Sequence, residues 1–264
     1  MKILLLGHKG YLGSFLYKNI KNLYTTEDEG FFDNFSGYDV VINCIGYTDI
    51  YGCERDKNKC TFFNYTAAKQ LIDLYADKAK IINFSSYYVY NYQPICLETS
   101  NTNNNLCYSC CKQMMEHYVL KKQGINFRLG KLFGNSIKKQ HKLTEEILQT
   151  VKNPEFFSIS LDHVLFNPTS LELINYILQR LIERKFSFLP SDTYNLANEG
   201  ITSHYNYGKF IGQYFGEPGR IFSDHHFAHN FIGYGSFLMS LDKIKKYVKL
   251  NHWTTDMKEY LKNV

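Results

Sequence analysis

Seven residues near the amino terminus constrain this chain more than any others. Gly7-His8-Lys9-Gly10-Tyr11-Leu12-Gly13 spaces three glycines by threes. The turn follows a short apolar run at residues 2–6, which reads as a buried strand. It precedes residues 11–20, where Leu12, Phe15, Leu16 and Ile20 recur at helical spacing. In such a strand–turn–helix unit each glycine has its own task. Gly7 allows the tight turn, Gly10 lets the backbone approach a pyrophosphate, and Gly13 lets the helix pack close to the strand. The helix amino terminus then presents N–H groups and a partial positive charge to phosphates. The unit predicts dinucleotide binding at Gly7, Lys9, Gly10, Tyr11, Leu12 and Gly13.

The adenosine end reads two ways. Lys9 suits the 2′-phosphate of NADPH, whereas Glu27 and Asp28, about 20 residues past Gly7, suit the free 2′-hydroxyl of NADH. Lys9 tips the reading to NADPH, with NADH as the alternative.

Strand and helix patterns alternate through the first half. Residues 39–45, 79–84 and 125–129 read as strands; residues 61–75 and 106–122 read as helices. Further on, residues 171–182 and 205–214 are helical, with a short strand at 194–196 between them. This order predicts an α/β fold, a Rossmann-type doubly wound parallel sheet with a smaller C-terminal substrate-binding lobe. The 264 residues allow that much. Residues 1–130 with about 169–198 form the predicted cofactor domain, and 131–168 with 199–264 the substrate lobe.

Charge and cysteine content narrow the partners. The net charge is +5, with 30 Lys and Arg spread along the chain rather than clustered, which argues against a nucleic-acid reader and suits an anionic small molecule. No apolar run approaches the roughly 18–20 residues of a membrane span. Residues 2–6 are too short for a signal peptide. A cytoplasmic location is expected. Seven cysteines, an odd number, fit free thiols. Cys107, Cys110 and Cys111 include one C-x-x-C, but no second pair is visible, so no metal site is expected.

Tyr108 and Lys112 have Y-x-x-x-K spacing, which puts both on one helix face. A lysine beside a phenol favours the phenolate, and acid–base work near neutrality needs the usual pKa of about 10 lowered. The spacing occurs five times, starting at Tyr17, Tyr65, Tyr108, Tyr118 and Tyr205. Only Tyr108 begins a helix directly after the strand at 79–84 and its loop, facing the crevice where such sheets bind ligands. Ser85 and Ser86 end that strand at the same rim, where a hydroxyl can bond a substrate carbonyl.

At this point the chain resembles an extended short-chain dehydrogenase/reductase, and within that group the dTDP-4-dehydrorhamnose reductases. The glycine turn, Asn43-Cys44-Ile45-Gly46, Phe84-Ser85-Ser86-Tyr87-Tyr88-Val89-Tyr90 and Tyr108…Lys112 carry the likeness. Tyr47-Thr48 with Glu54, Asn64, Asn167-Pro168-Thr169, residues 193–197 and Thr202-Ser203-His204-Tyr205 extend it, as do Leu241-Asp242-Lys243-Ile244 and Trp253. The resemblance implies reduction by NAD(P)H of the 4-keto group of a nucleotide-linked 4-keto-6-deoxy sugar, without epimerisation. It implies Tyr108 as acid, Lys112 as its partner and ribose contact, and Ser86 as the group orienting the keto oxygen. It adds Asn43, Cys44, Ile45, Gly46, Asn64 and Ser85 to the cofactor site. It adds Ser86, Tyr87, Tyr88, Lys131, Asn167 and Thr169 to the substrate site, with Lys131 and Arg128 as phosphate contacts. A homodimer is compatible with it.

The departures are informative. The glycine turn with His8-Lys9 also resembles GDP-fucose synthases, which use a Cys and a His to epimerise. Tyr88 occupies that Cys position, and Gly134-Asn135-Ser136 offers no His. Tyr87 replaces an Asp of the rhamnose enzymes, and Lys131 a frequent Trp, which leaves the sugar open. The alternatives are a non-catalytic NADP-binding regulatory subunit, which need not keep Ser86, Tyr108 and Lys112, and an epimerase or dehydratase. The chain is short for this group. Only residues 25–38 separate a second strand, ending at residue 24, from the one at 39–45, so a trimmed sheet is expected on the adenosine side.

Overall fold

A computed structural model describes residues 1–27, 37–75, 78–91, 93–102, 105–137, 142–224 and 236–264. Its centre is a six-stranded sheet. In spatial order the strands are Thr193–Leu196, Ile125–Leu129, Lys80–Ser86, Val40–Asn43, Ile3–Leu6 and Leu23–Tyr24. All five pairings are parallel. The sequence-predicted α/β fold is what forms.

Both faces of the sheet are covered, which is why its strands are apolar on both sides. Ile3 and Leu5 face Phe15 and Leu16 of helix Tyr11–Asn19 and Ile174 and Ile177 of helix Leu171–Glu183. Leu4 and Leu6 face Ala68 and Ile72 of helix Ala67–Tyr75 and Met115 and Val119 of helix Cys107–Lys121. One polar line crosses this core. Asn43 donates to Asn83 at 2.9 Å, and Asn83 to Asn126 at 2.8 Å. The three occupy matching registers on adjacent strands.

The chain runs from Ile3–Leu6 outward to Leu23–Tyr24, then crosses back to Val40–Asn43 and proceeds the other way. The reversal opens a crevice at the carboxyl ends of Ile3–Leu6 and Val40–Asn43. Among the described residues the sheet stops at the two-residue strand Leu23–Tyr24, in line with the short 25–38 segment. Asp28 lies outside the described residues.

Smaller sheets build the rest. Lys131–Phe133 pairs with Pro168–Ser170, and Ser158–Leu161 with Ile221–Asp224. Thr202–Ser203, Leu165–Phe166, Phe237–Met239 and Gln93–Cys96 form a four-stranded sheet. Gln93–Cys96, from the first half of the chain, thus joins strands from the second. Among the described residues no helix is long and apolar enough to cross a membrane.

Candidate active site

The glycine turn sits at the crevice. Gly7 has φ +79°, and a Cβ there would lie 2.7 Å from the carbonyl carbon of Cys44. A Cβ on Gly13 would collide with the Gly7 carbonyl oxygen. Both positions therefore need glycine for backbone approach. Helix Tyr11–Asn19 starts at Gly10 with no side-chain cap, which leaves its amino end to an external anion. Cys44, Ile45 and Gly46 form the opposite wall. The Ser85 hydroxyl at the same rim is buried with no hydrogen-bond partner among the described residues. An open helix end, a cradle that Cβ atoms would fill and an orphaned hydroxyl together fit a dinucleotide.

At the adenosine side Lys9 is exposed and pairs with Glu27, which also lies 3.5 Å from His8 Nε2. The Lys9 hydrogen bond holds the Glu27 carboxyl below its ordinary pKa, against desolvation. The two groups that the sequence offered as rival ribose contacts are therefore partners, and Lys9 is not an isolated cation waiting for a phosphate.

Tyr108 is the second residue of helix Cys107–Lys121. The Cys107 N–H donates to Glu54 Oε1 at 2.6 Å, so Glu54 caps the helix from 53 residues away. No local sequence signal reveals such a cap. Ser109 donates to the Tyr88 carbonyl at 2.5 Å and ties the same turn to the segment after Ser86. Ser86 closes strand Lys80–Ser86; its hydroxyl accepts the Tyr88 N–H at 3.2 Å and lies close enough to the Tyr108 phenol to favour the phenolate. Lys112, one turn along, donates from Nζ to the Phe84 carbonyl at 3.2 Å, with Nζ 5.8 Å from the Tyr108 ring centre. A Cβ on Gly46 would lie 3.2 Å from this same Nζ, so the lysine faces the cofactor wall as well as the phenol.

Of the five Y-x-x-x-K pairs this one is buried at both ends, with Tyr108 and Lys112 each 5 % exposed. Tyr17, by contrast, is exposed, and Tyr118 is bound to Asp73. The electrostatics correct one expectation. Burial drives the Tyr108 phenol above its ordinary pKa, and the neighbouring Ser86 hydroxyl offsets this in part. Burial also lowers Lys112 to about 8. Desolvation outweighs the cation at this distance, and the resting phenol keeps its proton.

Several site assignments change. Asn43 is buried; it accepts the Ile45 N–H at 3.1 Å and donates to Asn83. Asn64 is equally committed, accepting the Tyr47 N–H at 3.2 Å and donating to the Tyr47 and Cys60 carbonyls at 3.0 and 3.1 Å. Both hold the cofactor wall instead of reaching into it. Asn64 sits in a π-helical turn, Phe62–Thr66, which interrupts the helix predicted over 61–75. Tyr87 is buried between Tyr88 and Phe237, with ring centres 4.5 and 5.5 Å away, so it is core. Tyr88 is half-buried, its ring edge-on to Tyr108 at 6.4 Å.

Thr169 is fully buried, accepting the Gly130 N–H at 3.1 Å and donating to the Leu196 carbonyl at 3.3 Å. Asn167 accepts the Met239 N–H at 2.9 Å and is also buried. These two latch the strands together and are not open to a substrate. Arg128 is buried in a two-pronged pair with Glu116 at 2.9 and 2.7 Å, which commits its guanidinium to that carboxylate. Lys131 differs. It lies two residues beyond Leu129, which registers with Ser86. Half-buried, with its Nζ 5.6 Å from the Phe166 ring centre, it has a pKa lowered to about 8 by burial alone.

Solved structures share this fold. A dTDP-4-dehydrorhamnose reductase from Clostridium acetobutylicum aligns with TM-score 0.84 and 20 % identity over 99 % of both chains. The same enzyme from Bacillus anthracis, in complex with NADP, aligns with TM-score 0.80 and 17 % identity over 100 % of this chain and 99 % of that one. An ADP-L-glycero-D-manno-heptose-6-epimerase from Helicobacter pylori aligns with TM-score 0.75 and 15 % identity over 99 % and 96 %. At these identities the likeness is one of fold. No curated protein sequence matches the chain. The family described as RmlD substrate binding domain matches residues 1–264, and the chain belongs to that family.

Proposed function

We propose that this protein is a sugar-nucleotide ketoreductase. It takes an NAD(P)H coenzyme in the glycine cradle and reduces the 4-keto group of a nucleotide-linked 4-keto-6-deoxy sugar. The observation that carries this reading is the buried Tyr108 phenol beside Ser86, with Lys112 one turn on, at the crevice rim. The bound coenzyme supplies the hydride for the carbonyl carbon. Tyr108, protonated at rest, gives its proton to the keto oxygen, which Ser86 orients. The phenolate left behind is stabilised by the Lys112 ammonium in a dry site. Lys131, a desolvated cation without an anionic partner among the described residues, suits an anionic part of the substrate. Residues 1–130 with about 169–198 carry the coenzyme and the remainder shapes the substrate site. The seven free cysteines suit a reducing cytoplasm.

The test is a panel of dTDP-, UDP- and GDP-4-keto-6-deoxy sugars, each with NADPH and NADH, followed by nicotinamide absorbance. Turnover of none of them overturns the proposal. A tightly bound coenzyme that exchanges no hydride with any substrate favours the regulatory-subunit reading. Within the same assay Lys9→Ala is expected to weaken NADPH several-fold more than NADH, and Glu27→Gln to favour NADPH. Equal effects on both coenzymes remove the case for Lys9 as a phosphate contact.

The pH profile follows from Lys112. Its pKa is lowered, so the ammonium is present below about 8 and lost above it. Activity is therefore expected to fall as pH rises through about 8. Lys131 titrates in the same range, so kcat is to be measured in Lys131→Met as well. The alkaline limb persists there if Lys112 sets it, and disappears if Lys131 does.

A further inference from the structure

Beside Tyr108 the fold gathers four thiols from three helices. Cys53 lies in Ile50–Arg55, Cys60 in Lys57–Thr61, and Cys107 and Cys111 in Cys107–Lys121. Cys107 and Cys111 are four residues apart and share one helix face. The sulfurs of Cys60, Cys107 and Cys111 all lie within 4.8 Å of one another. Cys60 and Cys111 are buried and Cys107 half-buried. Cys53 lies outside this trio but in the same buried cluster; its thiol donates to the Tyr47 carbonyl at 3.4 Å, and Asn64 Nδ2 stands 3.9 Å from its sulfur and 3.5 Å from that of Cys60. Cys110, on the same helix, is exposed. The converging pair is thus Cys107 with Cys111, not the C-x-x-C visible in the sequence.

We propose that Cys60, Cys107 and Cys111, with Cys53 as the fourth donor, form a zinc-binding site. Zinc–sulfur bonds of about 2.3 Å in a tetrahedron put the sulfurs roughly 3.8 Å apart. The three sulfurs need to close by no more than about 1 Å to reach that spacing. An all-sulfur donor set selects a soft or borderline ion and excludes magnesium and calcium, which take oxygen. Burial and the neighbouring thiols push the Cys53, Cys60 and Cys111 thiols above their ordinary range, so without an ion they keep their protons. In the metal-free chain the Cys111 thiol donates at 3.6 Å to the Thr61 oxygen, whose own proton goes to the Lys57 carbonyl, and Asn64 sits beside both Cys60 and Cys53. A disulfide would use two of these sulfurs and leave unexplained why three converge.

Binding replaces the S–H protons with the ion and releases them to solvent, with no change of oxidation state. A four-sulfur site leaves no open position, so its role is structural. It ties Ile50–Arg55 and Lys57–Thr61 to the helix turn that carries Tyr108. Tyr108 packs in the same buried cluster as Cys53, Cys60 and Cys111, so the ion holds the candidate acid in place without touching substrate.

The test uses the full chain, reduced and stripped of metal, titrated with Co2+. The expected result is sulfur-to-cobalt charge-transfer absorption and strong tetrahedral d–d bands, saturating at one ion per chain and abolished by added Zn2+. Cys60→Ser and Cys111→Ser are expected to lose these bands, and Cys110→Ser to keep them. Since buried variants can misfold, alkylation of the unaltered chain gives a second reading. Zn2+ protects Cys60, Cys107 and Cys111 from iodoacetamide and leaves Cys110 reactive. Absence of thiolate bands in the reduced chain, unchanged bands in Cys60→Ser, or no protection by Zn2+ each overturn the proposal. So does a disulfide within the cluster that forms while Co2+ is refused.

Discussion

Tyr108→Phe is expected to cut turnover by about a thousandfold, within the usual range for loss of a general acid, while coenzyme binding stays nearly unchanged. The substitution removes one oxygen and little else. The ring keeps its edge-on contact with Tyr88 and its place among the buried cysteines. Ser86 keeps the Tyr88 N–H as its hydrogen-bond partner. The glycine cradle, the uncapped helix end and Lys112 are untouched. Fluorescence titration with NADPH and NADH separates binding from chemistry, and stopped-flow absorbance reads the hydride step. Normal turnover in this variant would remove Tyr108 from the mechanism. Weakened coenzyme binding with unchanged kcat would assign the phenol to the coenzyme instead.

Glu116→Ala is expected to cost about 3–5 kcal/mol of folding stability, the range for breaking a buried ion pair from one side. Arg128 and Glu116 are 6 % and 4 % exposed. The guanidinium bonds both Glu116 oxygens, donates to the Glu98 carbonyl at 3.1 Å and lies over the Tyr90 ring at 4.8 Å. Removing the carboxylate strands a buried cation between the central sheet and helix Cys107–Lys121. The melting temperature should fall on the order of 10 °C. Calorimetry of Glu116→Ala checks this, and Arg128→Met gives a comparison in which the cation itself is gone. The sequence reading of Arg128 as a phosphate contact makes a different prediction. In that case Arg128→Met raises KM with little loss of stability, and this kinetic signature would overturn the structural role.

The coenzyme half of the site was readable because its signals are local. Gly7, Gly10 and Gly13 lie within seven residues, between one strand and one helix, and their task depends on backbone shape alone. Ser86 and Tyr108 were readable as a strand end and a helix start. Ile50–Arg55, Lys142–Lys152 and Trp253–Leu261 went unassigned as helices. The first is only six residues long. Trp253–Leu261 buries only Trp253, Met257, Tyr260 and Leu261, with polar residues at every other position.

The availability of a polar side chain was not readable in the same way. Thr169, Asn167, Asn43 and Asn64 have the chemistry of ligand contacts, yet each is used up by protein groups, most of them brought beside it by folding. Tyr108 and Lys112 have the spacing of an acid and its partner, but burial sets their protonation. The cysteine cluster depends on three helices meeting. The sequence by itself determined the α/β class, the glycine cradle and the placement of Ser86, Tyr108 and Lys112, since these follow from periodicity and from turns a few residues long. Only the tertiary structure decided which polar groups are free, which charges are paired and which thiols converge. Those outcomes depend on desolvation and on contacts between residues tens of positions apart, which no local pattern encodes.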